Sequence, residues 1–167
     1  MNAEKEKCYM CDEPACSREH VPPKCIFPER KDVNGLDFKR ELITVPSCET
    51  HNLKKSNDDE FLLVSLAGII GNNSIGYHHK FTKVDRAIRR SSSKLIEKAF
   101  LKKQKYIIEI EDNKFLEVLW GTPDFERLER CFEHIAFGIF YHHFKKKFRG
   151  GVKVLLGYIY DKEKNRR

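Results

Sequence analysis

Cysteine and histidine stand at metal-ligand spacing twice in the first third of the chain. The pairs are Cys8-Tyr-Met-Cys11 and Cys48-Glu-Thr-His51, the second followed at once by Asn52. Two residues separate the members of each pair, so one tight turn can present both soft ligand atoms to a single ion. Two such turns complete the tetrahedron that zinc prefers. Cys8, Cys11, Cys48 and His51 are therefore expected to hold a structural zinc. Cys16, His20 and Cys25 form a competing set with wider gaps, which would leave both tight pairs unused. Between the pairs lies Arg18-Glu19-His20-Val21-Pro22-Pro23. A carboxylate beside an imidazole suits metal-assisted hydrolysis, in which one group holds a metal and the other deprotonates a water.

Other chemistry-bearing residues have plainer expected roles. Asp58 and Asp59 follow Asn52 by one to two helical turns and are expected to cap a helix rather than ligate. His78-His79 and His142-His143 are adjacent pairs, whose rings point in different directions on a helix or strand. Glu133-His134 falls in a long amphipathic segment, where packing is expected. Basic residues recur as Lys54-Lys55, next to Asn52, as Arg86, Arg89, Arg90 and Lys94, and as Lys145-Lys146-Lys147 with Arg149. Helical spacing brings Arg86, Arg89, Arg90 and Lys94 near one face. That pattern fits a phosphate-tracking surface and equally an ordinary solvated helix face.

The elements that must position these residues are legible to different degrees. Residues 8 to about 55 lack regular periodicity, so their order is expected to come from metal more than from a core. Leu42-Ile-Thr-Val-Pro46 reads as a short strand, and a helix is expected to begin near Ser47 or Cys48. Ser56-Asn-Asp-Asp59 resembles a capping box ahead of the apolar run Phe61 to Ile70, a second helix ended by Gly71-Asn-Asn73. Phe81, Val84, Ile88, Leu95 and Ala99 predict a helix over 80–102. Tyr106 to Ile110 and Phe115 to Trp120 predict a β-hairpin around Asp112-Asn113-Lys114. Thr122-Pro123-Asp124 opens a helix whose buried face carries Phe125, Leu128, Phe132, Ile135, Ile139 and His143, with Gly150-Gly151 as its stop. Lys153 to Tyr160 reads as a last strand. The class is α+β, divided into a zinc-bound module over 1–60 and a helix–hairpin–helix–strand region over 61–167.

Composition narrows the class. Of the 167 residues 34% are charged, which argues against a membrane protein, and 40% are hydrophobic, which supports a core. The most apolar stretch, Phe61 to Ile70, is half a membrane span. No apolar segment follows the charged start Met1 to Lys7, so a cytoplasmic location is expected. The chain has six cysteines, and in that compartment pairs spaced like Cys8-x-x-Cys11 and Cys48-x-x-His51 hold metal more often than cysteines form disulfides. Cys16, Cys25 and Cys131 read as small buried side chains or reduced thiols. The net charge of +7 favours polyanions such as nucleic acid.

Taken together, Cys-x-x-Cys, an acidic residue and His before a Pro-containing turn, and Cys-x-x-His followed by Asn resemble the zinc-bearing HNH endonucleases. The arrangement is most similar to the endonuclease VII type of phage recombination, in which Asn also directly follows the last zinc ligand. The resemblance covers roughly residues 8–60. It implies a ββα-metal element, with a β-hairpin carrying the His and a following helix carrying a metal ligand. It implies His20 as general base, Glu19 and Asn52 as ligands of a catalytic magnesium or manganese, and DNA as substrate. The region beyond it is expected to add substrate contacts or a partner surface, with a protein partner or a homodimer left open. Two positions depart from the pattern. Glu19 stands where Asp is more usual. No Asn lies in Leu42-Ile-Thr-Val-Pro46, where Thr44 is the polar residue.

Overall fold

The structure, a computed structural model, describes residues 6–53, 56–69, 72–91 and 94–156. Strand β1 (Ser17–His20) pairs antiparallel with β2 (Thr44–Ser47), with Ser17 opposite Ser47 and His20 opposite Thr44. Helix α1 (Glu49–Leu53) follows β2 directly, and α2 (Ser56–Ala67) follows α1. Helix α3 (Ser74–His79) runs through a wide π turn, Lys80–Val84, into α4 (Asp85–Arg90); α5 (Lys94–Ala99) leads into the hairpin β3 (Phe100–Glu111) and β4 (Lys114–Pro123), and α6 (Phe125–Phe144) closes the order. The described residues are α+β, with two small antiparallel sheets among them, β1–β2 and β3–β4.

Helix α2 is apolar on nearly every side from Phe61 to Ala67, and a helical segment of that kind must be enclosed. Phe61, Leu62, Leu63, Val64 and Ala67 are all buried, packed with Val84, Ala87, Leu95, Ala99, Leu128 and Cys131. This helix runs straight through the division expected at residue 60. A second cluster, Cys8, Tyr9, Val21, Val45 and Cys48, lies under the β1–β2 pair. Ile135 of α6 packs against both clusters, so α6 joins them. Its approach to the strands is close: a Cβ built on Gly138 would lie 2.5 Å from Cγ2 of Val21, the residue after β1.

The 23-residue connection between β1 and β2 is held down by side chains from the helices. The Arg86 guanidinium donates two parallel bonds to Asp32, at 2.8 and 2.6 Å, and one to Glu29 at 3.0 Å. Lys83 Nζ donates to the Cys25 carbonyl at 2.8 Å, and His79 Nε2 to the Ile26 carbonyl at 2.9 Å. Side chains of α3, the π turn and α4 thus hold part of the stretch for which poor periodicity left only metal to be expected.

Several elements differ from their expected form. The helix expected over 80–102 begins earlier and is broken. Ser91 ends α4 by donating its hydroxyl to the Ile88 carbonyl at 3.0 Å, and the same oxygen accepts from the Leu95 N–H of α5 at 3.3 Å. Residues 100–102 belong to β3. Phe81, expected on the buried stripe, is 73% exposed, because the π turn carries it off the face that holds Val84 and Ala87. The hairpin is longer than expected. Pro123 ends β4, and Asp124 is the cap of α6, its carboxylate accepting from the Arg127 N–H at 3.0 Å. Helix α6 ends at Phe144, before Gly150, with Lys145 in the left-handed region at φ 53°. His143 and Ile139 are exposed rather than buried. Residues 153–156 form no strand, and the rest of the expected last strand, 157–160, lies outside the described residues.

Candidate metal centre

The first pair sits on a tight loop whose ends are bridged, with Lys7 opposite Pro14. The Cys8 N–H donates to the Glu13 carbonyl at 2.9 Å, and the Tyr9 N–H reaches the Pro46 carbonyl of β2 at 2.9 Å. The second pair lies where β2 becomes α1: Cys48 precedes the helix, and His51 falls on its first turn. The four ligand atoms lie within 4.8 Å of one another. Cys11 Sγ is 3.7 Å from Cys48 Sγ. His51 Nδ1 is 3.5 Å from the sulfurs of Cys8 and Cys11 and 3.2 Å from that of Cys48. Zinc bonds of about 2.3 Å to sulfur and about 2.0 Å to nitrogen give tetrahedral edges of about 3.8 and 3.6 Å. The observed separations match those edges, so the cluster fits a metal such as zinc.

Electrostatics point the same way. Burial opposes ionisation of Cys8, but backbone N–H groups of Met10, Cys48 and Cys11 outweigh it, and its pKa is lowered. Burial raises Cys11 to about 11, with its Cys48 and Cys8 neighbours adding to the shift. Crowded thiols resist becoming thiolates together, and a divalent cation among them reverses that balance. The competing set is not assembled. Cys25 donates to the Asp59 carbonyl at 3.1 Å and is pushed up to about 12 by burial, with the Asp59 charge contributing, while Cys16 is exposed. Among the described residues, Cys8, Cys11, Cys48 and His51 are the one convergent Cys/His/Asp/Glu group of this kind.

Of the proposed reacting residues, Glu19 and Asn52 lie near this cluster, and strand alternation turns His20 to the opposite face of β1. Glu19 is buried at 6% exposure, and its two oxygens each lie 3.4 Å from the donating Tyr9 hydroxyl. Ser47 Oγ also donates to Glu19 at 3.5 Å. Asn52 Nδ2 donates to Ser17 Oγ at 2.7 Å. Strand alternation places Ser17 and Glu19 on one face of β1, and Ser47 lies directly opposite Ser17. Glu19 and Asn52 thus share one side of the strand pair, with the hydroxyls of Ser17 and Ser47 between them. His20 ends β1 half-buried; desolvation first, and the Lys24 charge second, lower its pKa and favour the neutral ring. Thr44 pairs with His20, and its hydroxyl accepts from Arg18 Nε at 3.1 Å.

Tyr9, Ser17 and Ser47 were not legible as site residues, because hydroxyls carry no spacing signal. His134 of α6 stands edge-on to the ligand His51, ring centroids 6.4 Å apart. Asp58 accepts from Arg127 Nε at 2.7 Å and ties α2 to α6. His78 and His79 diverge, and His79 is buried. Of the predicted basic surface, Arg86 is committed to Asp32 and Glu29. Arg89 pairs with Asp85 at 2.9 Å but is 79% exposed, and Arg90 is exposed. Lys54 and Lys55 lie outside the described residues. Lys147, just past α6, pairs with Asp12 on the first cysteine loop.

Fold and site together define an α+β protein with a Cys₃His cluster suited to a metal such as zinc. Comparison with known protein families, curated proteins and solved structures returned no match for this chain. No helix among the described residues is long and apolar enough to cross a membrane.

Proposed function

We propose that this chain is a metal-dependent endonuclease of the zinc-bearing HNH type, hydrolysing phosphodiester bonds in DNA. One arrangement carries the reading. An antiparallel strand pair ends in His20, and the next helix carries His51 and Asn52 as neighbours, so the Cys₃His cluster anchors Asn52 on the Glu19 side of the strands. His20, held neutral by burial, takes the proton from the attacking water. Glu19 and Asn52 offer oxygen donors, the kind that hard divalent ions accept, while the sulfur-rich cluster takes the softer ion. A bound magnesium or manganese supplies positive charge against the phosphate. Thr44, opposite His20, braces the strand end through Arg18, in the place where the HNH pattern carries a middle Asn. The exposed Arg89 and Arg90, with Lys54 and Lys55, serve as phosphate contacts.

A second reading, a non-catalytic zinc module that binds nucleic acid, is favoured by the Glu19 carboxylate, buried against Tyr9 and Ser47 as a bracing group would be. Incubating supercoiled plasmid with the purified protein, with and without magnesium or manganese, separates the two. Divalent-dependent nicking or linearisation that disappears in His20→Ala supports the nuclease. Parental cleavage by His20→Ala overturns the assignment of the base, and retention of plasmid without cleavage selects the second reading.

A further inference from the structure

Helix α6 ends in a ladder of aromatic rings. Phe140 and Phe144 stand one turn apart, with ring centroids 4.5 Å apart and planes tilted by 36°. Lys145 then takes the left-handed conformation and ends the helix. The chain turns back there and sets Phe148 against Phe140 at 5.0 Å and against Phe137 at 5.9 Å. Phe137 packs onto the cluster beneath β1–β2, which anchors the inner end of the ladder. His143 meets Phe144 edge-on at 5.1 Å. Phe144 forms the outer end and is 56% exposed, so much of its ring surface is open to solvent.

Cations are interleaved with these rings. Lys145, Lys146 and Lys147 separate Phe144 from Phe148, and Arg149 follows. Lys145, Lys146 and Arg149 are exposed, while Lys147 pairs with Asp12 of the first cysteine loop. No Asp or Glu occurs from His134 to Leu156. A surface of this charge attracts a phosphate backbone, and an exposed ring within it offers a base something to stack on. In a duplex the base faces are covered by their neighbours, whereas a single strand presents them. The ring thus gives this surface a preference for single strands that lysines alone do not supply. Its place also fits the proposed reacting residues. Gly138 of the same helix lies against Val21, next to His20, and Phe144 follows about 9 Å further along the axis at about 1.5 Å per residue.

We propose that the C-terminal end of α6 is a binding surface for single-stranded DNA, in which a base stacks on Phe144 while Lys145, Lys146 and Arg149 hold the flanking phosphates. The choice of DNA rests on the nuclease reading above; the stacking and the charge do not. A strand held here continues toward the end of β1, so the surface selects DNA with an unpaired segment beside the reacting residues. An anionic lipid surface is the weaker match. A helix that lies on lipid presents a wide apolar face, and in α6 Leu128, Cys131, Phe132, Ile135 and Phe137 are packed into the two core clusters.

Fluorescence anisotropy of a labelled oligothymidylate and of a long linear duplex, with the zinc-loaded full chain and no added magnesium or manganese, tests the surface. Phe144→Leu keeps an apolar side chain and removes the stacking face. It should weaken single-strand binding by about five- to a hundredfold and leave duplex binding unchanged. Phe144→Trp keeps a stacking face and should bind the single strand at least as tightly as the parent. Lys146→Gln with Arg149→Gln should flatten the dependence of single-strand affinity on salt by about 0.7 in log–log slope for each contact removed. Circular dichroism and thermal unfolding of every variant check the fold. A parent that does not bind the oligothymidylate overturns the proposal, as does Phe144→Leu binding it like the parent. Equal losses for single strand and duplex in Phe144→Leu make Phe144 a structural residue and also overturn it. If the oligothymidylate is ignored and vesicles containing phosphatidylserine instead capture the parent but not Phe144→Leu, the surface faces lipid and the proposal is wrong. The nuclease reading fails separately, by an absence of plasmid cleavage, since none of these binding measurements requires cleavage.

Discussion

The four cluster residues differ in what their loss should do from the three proposed reacting residues beside them. Cys48 holds the start of α1 and contacts both Cys11 and His51. Cys48→Ser should lose the ion and lower the midpoint of the single unfolding transition, since ligand bonds add to the packing of the apolar cluster beneath β1–β2. Metal analysis of the parent should give one zinc per chain, and a well-folded parent without zinc would remove this role. His20 is not among the four convergent ligand residues. His20→Ala should keep zinc and fold and lose roughly a hundred- to ten-thousand-fold in cleavage rate. Asn52→Ala should instead shift the divalent-ion requirement upward, with partial recovery at high magnesium or manganese. Cleavage against ion concentration distinguishes the two patterns. If His20→Ala unfolds, its role is structural. The spacing of two residues within each pair made the ligands readable in advance. The hydroxyls of Tyr9, Ser17 and Ser47, which surround Glu19 and Asn52, could not be read, because they meet only once β1 and β2 are paired.

At the level of elements, α6 approaches the end of β1 so closely that only glycine fits at position 138. Gly138→Ala forces its Cβ against Val21, and overpacking of this kind costs about 1–3 kcal/mol. Thermal unfolding of the variant measures the loss. The displaced Val21 adjoins His20, so activity should fall further than stability alone accounts for. The contact of α3 with the β1–β2 connection carries a pH dependence. Burial lowers the pKa of His79 in the folded state, with Lys83 and His78 pushing the same way and the Ile26 carbonyl and Asp32 opposing. The unfolded chain then binds more protons below the ordinary value of 6.5. Stability held by this contact is therefore present above pH 6.5 and lost as pH falls below it. Denaturant titrations of the parent and His79→Gln on both sides of that pH should differ, with the flatter acid response in the variant. The periodic stripe over 80–102 marked α4 and α5 but concealed the π turn and the break at Ser91. Both depend on single side-chain bonds to backbone, by Thr82 to the His78 carbonyl at 2.6 Å and by Ser91 to that of Ile88.

At the scale of the whole molecule, the apolar clusters around α2 and beneath β1–β2 share Ile135, so they should unfold together. Chelation of the metal should lower the midpoint of one cooperative transition rather than melt the first 60 residues alone. Tryptophan fluorescence, which reports Trp120, and far-ultraviolet circular dichroism should coincide during that transition. Nucleic-acid binding is expected to weaken steeply with salt, as counterion release demands. Replacing Lys54, Lys55, Arg89 and Arg90 by Ala should reduce that slope without changing sequence preference, whereas Arg86→Ala should act chiefly through the stability of the 21–43 connection. An affinity indifferent to salt would exclude phosphate tracking. Spacing, periodicity and turn residues act over neighbours along the chain, so the convergent Cys₃His set, the two hairpin strands, the helix over Phe61 to Ala67 and the Leu128–Phe132–Ile135 part of the α6 face were legible in the sequence. The assembled fold decided that Arg86 clamps Asp32 and Glu29 instead of standing open to phosphate, that Cys25 faces a backbone carbonyl, and that Phe100, between α5 and β3, packs against the core. Those outcomes depend on which surfaces meet across 30 to 60 residues of chain, and no local pattern records them.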